Sequence, residues 1–87
     1  MTLSHIYDTY ATTHKGRIMH FDVVLDENDA DLAYQYARQW LESIGESGAS
    51  LSVKNCVFCH SAEAPPALRA QINERGYAIV KLEGCPA

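Results

Sequence analysis

The chain has 87 residues, and its 7 Lys and Arg residues against 11 Asp and Glu residues give a formal charge of −4. This length predicts a single domain over residues 1–87 and excludes two separate hydrophobic cores. The basic residues are scattered, which excludes a nucleic-acid binder and a polybasic membrane attachment. No apolar run approaches the ~20 residues of a membrane-spanning helix, and no signal-peptide pattern opens the chain. We therefore expect a cytoplasmic protein.

The first element is a predicted β-hairpin over Leu3–Leu25. Apolar and polar residues alternate on both sides of a short break that ends at Gly16, and glycine readily adopts the left-handed conformation that such a turn requires. The hairpin fixes a register in which Tyr10 faces His20 and Asp8 faces Asp22 on one side of the sheet. The other side is the predicted core face, formed by Tyr7, Thr9, Ala11, Met19, Phe21 and Val23.

A helix is predicted from Asp29 to Ile44. Its apolar residues recur at offsets of three and four, which places them in one stripe that faces inward. Asn28 or Asp29 is expected to cap the start of this helix, and Gly45 is expected to follow its end.

The remaining elements are a third strand over Leu51–Val57, a helix from the proline pair at 65–66 to Gly76, and a last strand over Tyr77–Leu82. The order is therefore β-β-α-β-α-β. It predicts an α+β fold, with one layer of two helices on a mixed four-stranded sheet. A normal crossover through the second helix makes the third and fourth strands parallel, with their carboxyl ends at one edge.

The sharpest motif is a C-x-x-C-H sequence at Cys56, Cys59 and His60. Two thiolates at this spacing chelate one ion when a tight turn directs both sulfurs to one point. The parallel crossover brings Cys85 to the same edge of the sheet, and this predicts a site of three cysteines and one histidine. His20 is the alternative to His60, and Zn²⁺ is the metal that sulfur-rich tetrahedral sites select.

Three other interpretations of the motif remain open. The pattern matches c-type haem attachment, but that requires export, so haem is disfavoured. A thiol–disulfide redox pair of Cys56 and Cys59 is the enzymatic alternative, although the proline pair places the motif away from the first turn of the second helix. The third interpretation is an interaction or structural protein, with an unidentified protein partner, whose cysteines only pack. An enzyme is not favoured.

A second group of side chains lies on the predicted polar face of the hairpin, and consists of Asp8, Tyr10, His20 and Asp22. A carboxylate beside an imidazole suits acid–base chemistry, or it orients the histidine as a metal ligand. A solvated polar face of an antiparallel sheet is the simpler interpretation of the same pattern.

Several segments together resemble a family of short bacterial proteins, the domain-of-unknown-function family numbered two-thousand-and-twenty-four. The resemblance covers nearly the whole chain and rests on residues 7–10, 19–23, 56–60 and 84–85. It implies a compact single-domain α+β fold and no assigned activity. The family pattern includes the residues matched here by Asp8, His20, Asp22, Cys56, Cys59, His60 and Cys85.

Overall fold

The structure is a computed structural model that describes residues 3–85. Its strands and helices are β1 (Leu3–Thr12), β2 (Ile18–Leu25), α1 (Ala30–Ser43), β3 (Cys56–Glu63), α2 (Pro66–Arg75) and β4 (Tyr77–Glu83), with a 3₁₀ turn at Val53–Asn55 before β3. The α+β class and the order of the elements are therefore confirmed. Within these residues, no helix has both the length and the apolar character needed to cross a membrane.

The four strands form one sheet in the order β3-β1-β2-β4, and every neighbouring pair is antiparallel. The sheet is therefore antiparallel throughout, and the prediction of a mixed sheet is wrong. The segment that contains α2 carries the chain from one edge of the sheet to the other, so β3 and β4 never pair. Because they run in opposite directions, their carboxyl ends lie at opposite ends of the sheet as well as at opposite edges.

The hairpin β1–β2 occupies the centre of the sheet with the predicted register. Tyr10 pairs with His20 and Asp8 pairs with Asp22. Gly16 in the turn has a φ of 87°, which is the left-handed conformation expected there. All six residues of the predicted core face are buried, namely Tyr7, Thr9, Ala11, Met19, Phe21 and Val23.

Helix α1 packs on this core face of the sheet. The Asp29 side chain accepts hydrogen bonds from the backbone N–H groups of Asp31 and Leu32, which satisfies two donors at the start of the helix. Trp40 packs against Phe21 with ring centroids 4.6 Å apart. Ala33, Ala37 and Leu41 are also buried, so the predicted stripe forms the contact between helix and sheet.

Helix α2 packs on the opposite face of the sheet, where Ile72 and Leu68 meet Val24 and Ala78. The prediction of one layer of helices is therefore wrong, and the sheet lies between the two helices. The physical reason is that Val24 and Ala78 project away from the α1 core, and their apolar side chains also require cover from water.

The third strand begins at Cys56 and ends at Glu63, whereas the sequence predicted a strand over Leu51–Val57. The C-x-x-C-H motif therefore lies within β3 and does not follow it. Residue 59 forms a β-bulge, because Tyr7 pairs with Phe58 while the preceding Ile6 pairs with His60.

An ionic network ties α2 to the sheet. Arg69 donates hydrogen bonds to both Asp26 carboxylate oxygens, the shorter at 2.8 Å, and to the Ser4 hydroxyl. Ser4 in turn donates to Asp26. The hydrogen bonds from Arg69 lower the pKa of Asp26 below its ordinary value. The network lies beside the apolar contact of α2 and fixes where the helix sits on the sheet.

Replacing Arg69 with Met (R69M) removes this network, and we expect the variant to unfold at a lower urea concentration than the wild type at pH 7. Because the pKa of Asp26 is lowered in the folded state, the stabilisation is complete above the unfolded pKa of about 3.9. It is lost as the pH falls through the lower folded pKa. The difference between wild type and R69M should therefore narrow below roughly pH 4.

The matched control is R38M. Arg38 donates to the backbone carbonyls of Ala49 and Leu51, which do not titrate. Its loss should lower stability by the same amount throughout this pH range. A stability difference for R69M that is as large at pH 3 as at pH 7 would contradict the role assigned to Asp26.

Candidate functional site

The polar side chains of the hairpin gather on the sheet face that also carries α2. Asp8 lies on β1, and His20 and Asp22 lie on β2. Along β2, Asp22 and His20 lie two and four residues before Val24, which α2 covers. Each of the three side chains is partly exposed. The site is therefore a shallow polar surface between the apolar contact of α2 and the hairpin turn.

The imidazole of His20 is held from two sides. Its Nε2 atom contacts Oδ1 of Asp8 across the strand pair. The ring of Tyr10 stacks on the His20 ring, with centroids 4.2 Å apart and planes inclined by only 7°. The hydrogen bond sets the direction of Nε2, and the stacked tyrosine limits rotation of the ring.

The two carboxylates of the site repel each other. Burial and the neighbouring Asp8 raise the pKa of Asp22 above its ordinary value, and His20 and His60 oppose this rise only in part. Like charges directly opposite each other on adjacent strands destabilise a sheet. The negative charge at this site is therefore only partly compensated by the protein itself.

The donor atoms of this group satisfy the first requirement of a metal site. One ligand atom each from Asp8, His20 and Asp22 lies within 4.8 Å of the other two. Donors around a tetrahedral Zn²⁺ lie about 3.4 Å apart when the bonds are near 2.1 Å. The three donors here are spaced by up to 4.8 Å, so their side chains must shift before they share one ion. Among residues 3–85, this is the group of three or more potential ligands that lies close enough together.

The two cysteines of the motif are separated by the geometry of β3. Cys56 is buried against the α1 core, and Cys59 is exposed at the bulge. Three residues of extended strand span about 10 Å, whereas the Cα atoms of a disulfide lie within roughly 7 Å. The tight turn that the motif predicted is absent from this part of the described chain, so β3 does not direct both sulfurs to one point.

Cys85 lies at the other edge of the sheet, after β4. Its thiol donates a hydrogen bond of 3.4 Å to the backbone carbonyl of His20. The predicted meeting of Cys85 with Cys56 and Cys59 depended on parallel β3 and β4 strands, and that topology is wrong. The structure therefore does not bring the predicted set of three cysteines and one histidine together.

Of the residues in the C-x-x-C-H motif, His60 is the one that acts on the polar site. Its backbone pairs with Ile6, on the face that α2 covers, and its charge acts on the pKa of Asp22. Its Nδ1 atom lies 3.2 Å from the Cys59 thiol. His60 is thus on the same side of the sheet as Asp8 and Asp22, one strand outside them.

A separate surface cavity of about 360 Å³ lies at the hairpin turn, and its lining includes His14, Lys15, Arg17 and Glu46. It borders the carboxyl end of α1, where positive side chains are favourable to the helix dipole. None of the polar-site residues lines it.

The comparisons with known proteins agree with this architecture. The model of the family described as domain of unknown function (DUF2024) matches residues 1–82. The NMR structure of protein NE1680 from Nitrosomonas europaea, a structural-genomics target, has 46% sequence identity and a TM-score of 0.85. That match covers 97% of this chain and 99% of the other. No curated protein matches.

The fold is thus that of a small α+β domain whose sheet carries a partly exposed polar site. The chain belongs to the DUF2024 family, as its residue pattern indicated.

The three thiols should differ strongly in their reactivity, because only thiolates are alkylated rapidly. Burial raises the pKa of Cys56 and Cys85, whereas Cys59 is exposed. At pH 7.5 and low protein concentration, we expect iodoacetamide to label Cys59 first, Cys85 later and Cys56 last, as measured by peptide mass spectrometry. Labelling of Cys56 as fast as that of Cys59 in the native protein would contradict the described β3.

A D22N substitution should stabilise the protein in metal-free buffer. It removes one of two opposed carboxylates, and an amide donates a hydrogen bond to Asp8. We expect a gain of about 0.2–1 kcal/mol at pH 7 in urea unfolding, the range for charge pairs across strands.

D31N is the control for this variant, because Asp31 lies in the first turn of α1, where a negative charge is favourable. It should be neutral or slightly destabilising. A D22N protein that is less stable than the wild type would mean that the Asp22 carboxylate is satisfied without a cation.

Proposed function

We propose that this protein binds a divalent metal ion, with Zn²⁺ as the preferred ion, through Asp8, His20 and Asp22. The observation that carries the proposal is the proximity of one imidazole and two carboxylates within 4.8 Å. The raised pKa of Asp22 supports it, because two adjacent carboxylates are a cost that a cation removes.

The mixture of donors favours Zn²⁺ over the alkaline-earth ions. Mg²⁺ and Ca²⁺ are bound mainly by oxygen ligands, whereas an imidazole nitrogen suits Zn²⁺ and its neighbours in the first transition row. Three protein ligands leave a fourth position for water, which is the arrangement of open zinc sites. The exposed side of the cluster faces solvent and has room for such a ligand.

The protein also provides support around the three ligands. The stacked ring of Tyr10 holds the His20 imidazole near its binding orientation. In the described structure, His20 Nε2 contacts Asp8, so metal binding replaces this contact with two bonds to one ion. The ligands sit on two paired strands at the centre of the sheet, and such positions are held more firmly than loop positions.

The cysteines are not assigned to this site. A Cys56, Cys59 and Cys85 site would require β3 to break and both edges of the sheet to approach each other. The buried position of Cys56 in the α1 core supports the interpretation that this thiol packs.

Zinc titration of chelator-treated protein, measured by isothermal calorimetry and native mass spectrometry, tests the proposal. We expect one Zn²⁺ per chain and a rise in melting temperature, because an ion that binds only the folded state stabilises it. H20Q should lose binding by about 10-fold or more, as removal of one ligand costs at least as much as loss of a supporting group. D22N should weaken binding while it stabilises the metal-free protein.

The matched control is H14Q, since His14 is exposed in the hairpin turn away from the site. A triple C56A/C59A/C85A variant should also keep its zinc. The proposal is wrong if zinc remains in H20Q and leaves the triple cysteine variant, or if the wild type takes up far less than one ion per chain.

A further inference from the structure

Strand β3 forms an outer edge of the sheet, and its free side has no neighbour among residues 3–85. Six of its eight residues are exposed. We propose that β3 pairs with β3 of a second copy of this chain, in an antiparallel arrangement that joins the two sheets. This interface is independent of the metal site, because none of the three proposed ligands lies on β3.

The two edges of the sheet differ in how they are protected against such pairing. Proteins commonly guard an exposed edge with charged side chains, and lysine is the most effective. The exposed part of β4 carries Lys81 and Glu83. In contrast, β3 has no lysine, arginine, aspartate or glutamate between Cys56 and Ala62, and its first exposed residues are Val57 and Phe58.

Two apolar side chains of β3 are only partly covered by other residues of the protein. Val57 is 58% exposed and Phe58 is 45% exposed. Phe58 packs edge-on against Tyr7 on its inner side, with centroids 5.7 Å apart, and leaves its outer side open. Val57 lies on the opposite face, next to Asp8. A paired strand would cover part of both residues, one on each face.

The charges that flank β3 favour a second copy as the occupant. The segment from Ser52 to Ala64 carries one lysine, Lys54, and one glutamate, Glu63, at its two ends. In an antiparallel pair with the two-fold axis between Phe58 and His60, Glu63 of one copy lies opposite the start of β3 in the other, where the 3₁₀ turn that contains Lys54 ends. Each Glu63 then meets the opposite Lys54, and the symmetry repeats this contact at both ends. The neutral centre of the strand avoids opposing like charges.

The bulge at residue 59 limits how long the paired ladder is, and a bulge also disrupts β4 opposite His20. The bulges therefore do not distinguish the two edges, while the charges do. The interface is small, and small interfaces are weak. We expect a dimer that forms as the concentration rises and dissociates on dilution.

Sedimentation velocity of the full chain, at concentrations up to about 0.5 mM because small interfaces bind weakly, tests this proposal. The wild type should approach twice the 9.7 kDa mass of one chain. V57K should remain monomeric, because it places a charge on the free edge. L82K is the matched control, since Leu82 is 47% exposed on the other edge strand, and it should dimerise like the wild type.

The exposed thiol near the two-fold axis gives a second measurement that does not depend on a folded V57K. Mild oxidation with copper phenanthroline should link two wild-type chains through Cys59, and C59S should not be linked, whereas C85S should be. A monomeric wild type at the highest concentration would overturn the proposal and leave β3 as an edge for an extended segment of another protein. Dissociation by L82K but not V57K, or linkage through Cys85, would also overturn it.

Discussion

The two-residue alternation of the central hairpin is the constraint on which the rest of the molecule depends. A one-residue slip between β1 and β2 would move every side chain to the other face. The observed register sends Tyr7 and Phe21 into the α1 core and sends Asp8 and Asp22 to the opposite side. The same pairing therefore builds the core and assembles the polar site. Any change in the hairpin turn acts on both at once.

The opposite face is divided into two regions of different physical character. Near one end, Val24 and Ala78 are covered by α2, and Arg69 with Asp26 fixes the helix there. Beyond that contact, the strands place two carboxylates and an imidazole in positions where packing does not require them. Natural sequences usually avoid local conflicts such as opposed carboxylates, and conflicts that persist are expected at functional sites. The partly compensated charge at Asp22 is such a conflict.

The elements that the sequence predicted well are those whose pattern has a clear period. Alternation and a turn glycine predicted the hairpin, its register and the pairing of Asp8 with Asp22 before the sheet order was known. The stripe of α1 was equally clear, because its apolar residues repeat with a helical period. The candidate site followed from the register and not from any motif.

The second half of the chain was harder to predict for two physical reasons. Strand β3 lies at an edge and is exposed on both faces, so its residues show no alternation, and the strand was placed too early. The residues after β3 also do not determine which position in the sheet the next strand takes. A crossover to the neighbouring position and a crossing to the far edge use the same helix, and only the apolar face of Val24 and Ala78 requires α2 on that side. The sequence therefore predicts a tight turn at Cys56, Cys59 and His60, where the chain forms an edge strand.

The bulge at Cys59 changes which face of the sheet the following residues of β3 occupy. A regular strand would place Phe58 and His60 on the same side of the sheet, because alternate residues share a face. One additional residue opposite β1 reverses this, so Phe58 meets Tyr7 on the α1 side while His60 pairs with Ile6 on the other. Without the bulge, the same residues would pair Cys59 with Ile6 and His60 with His5, and the histidine would lie on the α1 side, away from Asp22. Cys59 is thus the residue that β3 leaves out of the pairing with β1, and this unpaired cysteine decides which face of the sheet the histidine of the motif occupies.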